Sequence, residues 1–418
     1  MCNIEYDKLI EAPPKHLDVA FFEEVVETAL RTAFVKIKGI SLTLGSSPGD
    51  NYCSQIYRTR IKYERNNNGN KIEEIAVIVK SIPRLESVEF IEDLQVYLKE
   101  RITYHEVLPK LEVLLHCRRR FGPKLFHCLK RPENSLVFED LSQLGYTMAS
   151  RESGLDETHC RLVMKHLAEF HAASMALASV NKTIFDAYTD GMLSARGLAK
   201  ADGLLMTFFA GNGNQLHSMV SNWAGFERIA DKIAKYLEHH RANLVRSQAP
   251  IDDEIKVLNH GDLWVNNMMF KYDHAHKPQD LIFIDFQLSI WGSPGIDLNY
   301  FFYTSLSLDV LQHKRPELLK VYHARLVDTL LGLDMGVRVP TYEQIVKEVQ
   351  RRESYGFFAN YGIFPTISQD KAQTGDNNLD SFNDAEFAKK KIEQMFQSQR
   401  LVDTFRYTLP QFERAGVF

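Results

Sequence analysis

Residues 257–286 constrain this chain more than any other stretch. They read VLNHGDLWVNNMMF, then a polar link, then LIFIDF. A short apolar run leads into His260-Gly261-Asp262, Asn267 follows Asp262 at a distance of five residues, and a second apolar run delivers Asp285. Strands and tight turns must therefore present an Asp, an Asn and a second Asp. These are parts of a phosphotransfer site. One carboxylate can take the proton of an attacking hydroxyl, while an amide oxygen and a second carboxylate suit a hard cation such as Mg2+. On that reading Asp262 is the candidate base, and Asn267 and Asp285 are the candidate metal ligands. Taken singly, Asp262 and Asn267 read as turn residues making local hydrogen bonds. Together with an Asp closing an apolar strand, they read as a site.

The rest of the chain sets the frame. Its 418 residues suffice for two or more cores. Hydrophobic residues at 44% and charged residues at 25% are ordinary for a globular protein. A net charge of −4 gives no footprint for nucleic acid or an anionic membrane. No apolar run approaches a membrane span, and Glu5, Asp7 and Glu11 make the N-terminus unlike a signal peptide. Five scattered cysteines point to reduced thiols. The expectation is a cytoplasmic monomer without nucleic-acid or membrane partners.

Asp18 can cap a helix running to about residue 34. Three strands are predicted at 37–45, 52–63 and 74–82, with hairpin-turn chemistry at 66–70. A helix over 87–108 is expected to stop before Pro109, and 135–139 reads as a short strand left by Asp140-Leu141-Ser142. From about residue 154 the periodicity is helical, at 157–180, 223–244, 316–331, 341–358 and 385–409. The polar stretch 366–384 reads as a mobile loop. The predicted class is α+β, with a sheet-bearing domain over 1–141 and a mainly helical domain over 142–418.

Gly45-Ser46-Ser47-Pro48-Gly49 lies between two predicted strands, where a flexible turn can lay backbone N–H groups over phosphates. By itself it reads as a plain hairpin. It also matches Gly-x-Ser-x-Gly, which would make Ser47 a hydrolase nucleophile. That elbow needs a helix after the Ser, and 52–63 reads as a strand. His116-Cys117 and His127-Cys128 lack metal-ligand spacing, since neighbours point to different faces. His274 and His276 read as solvated, Arg118-Arg119-Arg120 as a helix end, and Lys389-Lys390-Lys391 as a solvated helical face.

HGDLWVNN followed by IDF resembles the kinase-like small-molecule kinases, namely the aminoglycoside phosphotransferases and choline kinases. The pattern is more similar still to the insect ecdysteroid kinase-like family. The residues that carry this are NHGDLWVNN at 259–267, Asp285-Phe286-Gln287, Pro48-Gly49-Asp50-Asn51-Tyr52, LAEFHAAS at 167–174 and DLNYFF at 297–302. The resemblance implies a bilobal, protein-kinase-like fold using ATP and Mg2+. It implies that the loop carrying Gly45, Gly49 and Asn51 covers the nucleotide, and that Lys80 grips its phosphates. It makes Glu100, four residues before Tyr104, the ion-pair partner of Lys80, with Glu106 as the rival. It puts adenine against the backbone of Glu139 and Leu141, and it makes Asp297 a brace for the catalytic loop. Plainer readings stand beside these: Lys80 as a snorkelling lysine at a strand edge, 139–141 as a linker, and Asp297 as an N-cap.

The acceptor implied is a small alcohol. Asp285 is followed closely by Trp291, Pro294 and Asp297, which leaves little room for the long activation segment of a protein kinase. Choline would require an aromatic cage or acidic pocket. Phe301, Phe302, Tyr303, Tyr355, Phe357, Phe358, Tyr361 and Phe364 would suit an apolar alcohol such as an ecdysteroid, and at helical spacing they also read as core. The alternatives are a choline or ethanolamine kinase and a nucleotide-binding pseudokinase scaffold.

Overall fold

The computed structural model describes residues 4–6, 14–45, 54–65, 71–82, 94–130, 134–200, 203–369 and 384–418. The fold is α+β, and its residues group into two compact units. One draws on Met1–Glu86 and Gly122–Tyr146, the other on Ser87–Phe121, Thr147–Gln373 and Asp380–Phe418.

The first unit is a sheet with one helix on it. Its strands are β1 (Ile4–Tyr6), β2 (Val35–Leu44), β3 (Gln55–Arg65), β4 (Ile72–Ile82), β5 (Leu125–Leu129) and β6 (Asn134–Glu139), in the order β1-β2-β3-β4-β6-β5. The β1–β2 pair is parallel and the other pairs are antiparallel. Alternating burial along β2 and β3 turns Ile37, Ile40, Leu42, Tyr57 and Ile61 inward. Helix α1 (Val19–Leu30) covers them with Phe21, Phe22, Val25 and Val26. The Asp18 carboxylate caps α1 by accepting the Phe21 N–H at 2.9 Å. The helix ends earlier than the periodicity suggests, because Arg31 adopts the left-handed conformation at φ 52° and its N–H closes back on Glu27 and Thr28. The turn at 66–70 lies outside the described residues, but Glu64 pairs with Ile72 across it. The short strands β1 and β5 carry too few residues to show a period.

The second unit is mainly helical. The expected stop before Pro109 does not occur. Helix α2 (Val96–Ile102) runs through a π turn (Thr103–Val107) into α3 (Leu108–Leu114), with Pro109 in its first turn. Proline lacks an N–H and crowds the carbonyl four residues back. The wider turn, in which the Leu108 N–H reaches the Thr103 carbonyl, opens the backbone so that Pro109 falls where a helix needs no donor.

Helix α4 (Glu157–Val180) matches its predicted span. Helix α5 (Leu204–Val220) lies outside the predicted helical spans; its buried Asn212 donates to the Gly362 carbonyl at 2.9 Å. The span 223–244 resolves into α6 (Glu227–Glu238) and α7 (His240–Gln248). Strands β7 (Val257–Asn259), β8 (Met268–Tyr272), β9 (Pro278–Phe283) and β10 (Ile290–Gly292) follow, then α8 (Gly295–Ser305), α9 (Leu308–His313) and α10 (Arg315–Leu333). The span 341–358 breaks at Arg352 into α11 (Tyr342–Arg351) and α12 (Glu353–Phe358). A second π turn (Ala359–Ile363) and α13 (Phe364–Ile367) come next, then α14 (Ala385–Met395) and α15 (Gln399–Arg414). Thr366 to Gln369 are buried, so these residues are not part of a mobile loop, and 370–383 lie outside the described residues. Lys389 and Lys390 are exposed, but Lys391 is buried. The arginine run lies beyond α3, and Arg119 pairs with Glu169 on α4 at 2.6 Å. Among the described residues, no helix is long and apolar enough to cross a membrane.

The break at Arg352 has a specific cause. Its guanidinium is buried and donates to the Ser247 carbonyl at 3.1 Å, to the Ala249 carbonyl at 2.8 Å and to the Glu254 carboxylate. Both members of the ion pair are 1% exposed. Removing one partner of such a pair strands the other charge away from water. Glu254→Ala is expected to destabilise the protein by about 3–5 kcal/mol, read as a lower midpoint in urea unfolding. A loss below about 1 kcal/mol would show that Arg352 does not depend on Glu254.

Candidate active site

The site grows out of four short strands. β7 pairs antiparallel with β10, with Asn259 opposite Ile290 and Val257 opposite Gly292. β8 and β9 form an antiparallel pair in which Met268 faces Phe283. The last residue before β8 and the first after β9 are therefore neighbours, and the Ile284 N–H donates to the Asn267 carbonyl at 3.0 Å. This register brings Asn267 beside the Ile284-Asp285 segment.

The loop from β7 is fixed from below. Asp297 on α8 is fully buried, and its carboxylate accepts the His260 N–H at 2.6 Å and the Gly261 N–H at 2.9 Å. Its third donor is His171 Nε2 on α4, at 3.2 Å. The Tyr322 hydroxyl lies 2.8 Å from His171 Nδ1, so with Nε2 protonated toward Asp297 the phenol is the donor. Burial pulls the His171 pKa down, more than the Asp297 contact raises it. Asp297 is thus a brace inside the first turn of α8. The N-cap alternative is excluded, since the cap position is Pro294. Asn259 adds three contacts from its Nδ2, to the carbonyls of Val257, Ile290 and Gly292, and its Oδ1 accepts the Asp297 N–H at 3.2 Å.

Gly261 has φ +82°, and a Cβ there would stand 2.0 Å from the Leu288 carbonyl oxygen. No other residue fits that turn. His260 bridges the two strand pairs. Its Nε2 donates to the Ile284 carbonyl at 2.9 Å and its Nδ1 accepts the Asp262 N–H at 3.3 Å, which assigns the neutral Nε2–H tautomer.

Asp262 and Asn267 meet directly. Asn267 Nδ2 donates to the Asp262 carbonyl at 2.8 Å and to Asp262 Oδ2 at 2.9 Å. Both amide hydrogens are used, which leaves Oδ1 as the group Asn267 can offer a cation. On its other side, Asp262 Oδ1 accepts the Tyr300 hydroxyl at 2.5 Å. Burial raises the Asp262 pKa, the Tyr300 hydrogen bond lowers it, and the nearby Asp285 charge raises it again. Asp285 adopts the left-handed conformation at φ 65°, uncommon for a residue with a side chain. Its N–H donates to the Tyr104 hydroxyl at 3.1 Å, and Gln287 Nε2 donates to its Oδ2 at 3.3 Å. Phe286 is buried, edge-on to Tyr104 with ring centres 5.5 Å apart. The donor set of one amide oxygen and one carboxylate fits Mg2+, which takes few protein oxygens and keeps water and phosphate ligands. Among the described residues, no three His, Cys, Asp or Glu side chains are grouped to hold a metal by themselves.

The remaining candidates fall as follows. Glu100 is buried on α2, whereas Glu106 is exposed and pairs with Lys110 at 2.6 Å. In the first unit, Lys80 is 5% exposed on β4, opposite Ile56 and Leu136. β4 is flanked by strands on both sides, so the strand-edge reading of Lys80 does not hold. Glu139 ends β6 and accepts the Lys124 N–H at 2.6 Å, and buried Leu141 opens a short 3-10 turn capped by Asp140. Gly45 follows the last residue of β2, and a Cβ there would meet Ile56 at 2.6 Å, so close approach to β3 accounts for this glycine. Gly49 and Asn51 lie outside the described residues. The sequence reading missed Tyr300 as a partner of Asp262. The available signal was its spacing of three residues from Asp297, which puts both on one helix face.

The sequence profile of the ecdysteroid kinase-like family matches residues 48–335, more than half of the chain. No curated protein matches it. Among solved structures, a microcompartment-associated aminopropanol kinase aligns over 96% of this chain and 99% of its own at 12% identity, with a TM-score of 0.37. A glucosamine kinase in complex with glucosamine, ADP and inorganic phosphate aligns over 97% and 82% at 11% identity, with a TM-score of 0.27. The profile match over 48–335 assigns the family. The chain belongs to the ecdysteroid kinase-like family.

Proposed function

We propose that this protein transfers the γ-phosphate of ATP to the hydroxyl of a small alcohol, with an ecdysteroid as the first class to test. The observation that carries this reading is the Asp262–Asn267 contact beside Asp285. In this reading Asp262 orients the acceptor hydroxyl and takes its proton late, as phosphoryl transfer requires. Asn267 and Asp285 would hold Mg2+, which when bound neutralises phosphate charge. His260, Gly261 and Asp297 keep the base at a fixed height, so catalysis is mainly positioning. Lys80, Glu139 and Leu141 belong to the same proposal as nucleotide contacts. The ecdysteroid class is supported by the family name alone, because the aromatic residues of the helical unit pack on each other. Phe357 and Tyr361 have ring centres 4.8 Å apart, and Tyr303 and Phe412 4.7 Å.

The direct test is transfer of labelled γ-phosphate from ATP to a panel of steroids, choline, ethanolamine and simple alcohols. Phosphorylation of a steroid supports the reading, phosphorylation of choline alone moves the acceptor class, and normal Mg·ATP binding with no product favours a scaffold. Asp262→Asn is expected to lower kcat by about 10²- to 10⁴-fold with little change in ATP affinity. The Tyr300 hydroxyl can turn to accept from the new amide, so the loop geometry survives. A near-normal kcat would remove Asp262 from the base role. Asp285→Ala is expected to weaken Mg·ATP binding about ten-fold or more, measured by calorimetry. Unchanged affinity would undo the metal assignment.

A further inference from the structure

The orientation of the Asp262 carboxylate needs a cause of its own. A carboxylate held at one oxygen can turn about its Cβ–Cγ bond, whereas one held at both cannot. Asn267 Nδ2 holds Oδ2 at 2.9 Å, and the Tyr300 hydroxyl holds Oδ1 at 2.5 Å. Each oxygen keeps a lone pair, so a hydroxyl can still approach either. Tyr300 is itself well fixed. It is 1% exposed, its ring lies 6.3 Å from that of Tyr355, and its carbonyl accepts the Thr304 hydroxyl at 2.7 Å. It sits three residues past Asp297 on α8. One helix face therefore sets both parts of the loop: Asp297 holds the backbone of His260 and Gly261, and Tyr300 holds the Asp262 side chain.

The chemistry of the donor matters. A lysine or arginine here would orient the carboxylate and also cancel the charge that attracts a hydroxyl proton. A phenol orients it and leaves the charge in place. Burial and the adjacent Asp262 push the Tyr300 pKa well above its ordinary value, so the group stays a donor.

We propose that Tyr300 is a positioning residue for the reaction, locking the Asp262 carboxylate between its own hydroxyl and the Asn267 amide. This rests on the kinase reading above. The test is Tyr300→Phe in the full chain, which removes one oxygen and keeps the ring's packing. Phosphate release from Mg·ATP with water as acceptor is measured, together with transfer to any alcohol found in the panel. The expected result is a fall in kcat of about ten- to a hundred-fold, with the KM for ATP and the Tm close to wild type. An unchanged kcat, or a KM for ATP that rises while kcat holds, would overturn the proposal. A crystal structure of the variant gives a readout independent of turnover. The Asp262 carboxylate should turn away from Asn267, and a carboxylate that keeps its place would overturn the proposal even without measurable activity. Failure of the kinase reading looks different: the wild-type protein would neither bind Mg·ATP nor release phosphate.

Discussion

The buried carboxylate of Asp297 is the contact on which the rest of the helical unit's site depends. A charge with no access to water is tolerable only when its oxygens are met by donors. Here the donors are two consecutive backbone N–H groups and one imidazole. Consecutive amides can converge on one carboxylate only if the chain between them turns sharply, and Gly261 at φ +82° supplies that turn. The conformation of the loop and the charge on α8 therefore require each other. His171 and Tyr322 extend the same logic into the core, giving Asp297 a neutral partner that burial keeps unprotonated at Nδ1.

From that fixed turn the two strand pairs are linked by a single ring. His260 donates to Ile284 and accepts from Asp262, so the candidate base and the segment carrying Asp285 cannot shift independently. The arrangement places two carboxylates, Asp262 and Asp285, near enough that the second raises the pKa of the first. Like charges in one place are unfavourable until a cation joins them. The left-handed backbone at Asp285 is a further local penalty, held by the Tyr104 hydroxyl on its N–H. Strain and charge crowding concentrate at Asp285 and Asp262, two residues of the proposed site, which is where a functional cost is expected rather than a structural one.

The grouping of the candidate site was legible because it is local. His260, Gly261, Asp262 and Asn267 lie on one short loop, and Asp285 is reached by one strand pair, so spacing alone could group them. α1 and α4 were legible because a cap and a long amphipathic period mark them. Pro109 misled because a π turn relieves what a proline normally breaks, and nothing in the composition of 103–107 announces one. Lys391 misled because a run of three lysines averages over faces, and one of them turns inward. Tyr300 was hidden for a different reason. Its contact joins two residues 38 apart in the chain, and apart from its spacing of three from Asp297 only the placement of α8 under the loop reveals it.

The aromatic richness of the helical unit finds its explanation in α8. That helix must hold Asp297 and Tyr300 still, and its other contacts do so. Asn299 Nδ2 donates to the Val349 carbonyl at 2.9 Å, and Arg315 donates to Asn299 Oδ1 at 3.0 Å and to Glu353 at 2.6 Å. Tyr303 donates to Glu353 at 2.9 Å, and the Arg315 guanidinium lies over the rings of Phe302 and Tyr303 at 5.2 and 4.9 Å. Tyr355, Phe357 and Phe358 come from the neighbouring α12 and are buried. Aromatic side chains bring large contact area with few rotatable bonds, which is what a rigid mount requires. Residues that suggested an apolar ligand pocket when read as a composition are the mount for the helix that holds Asp262.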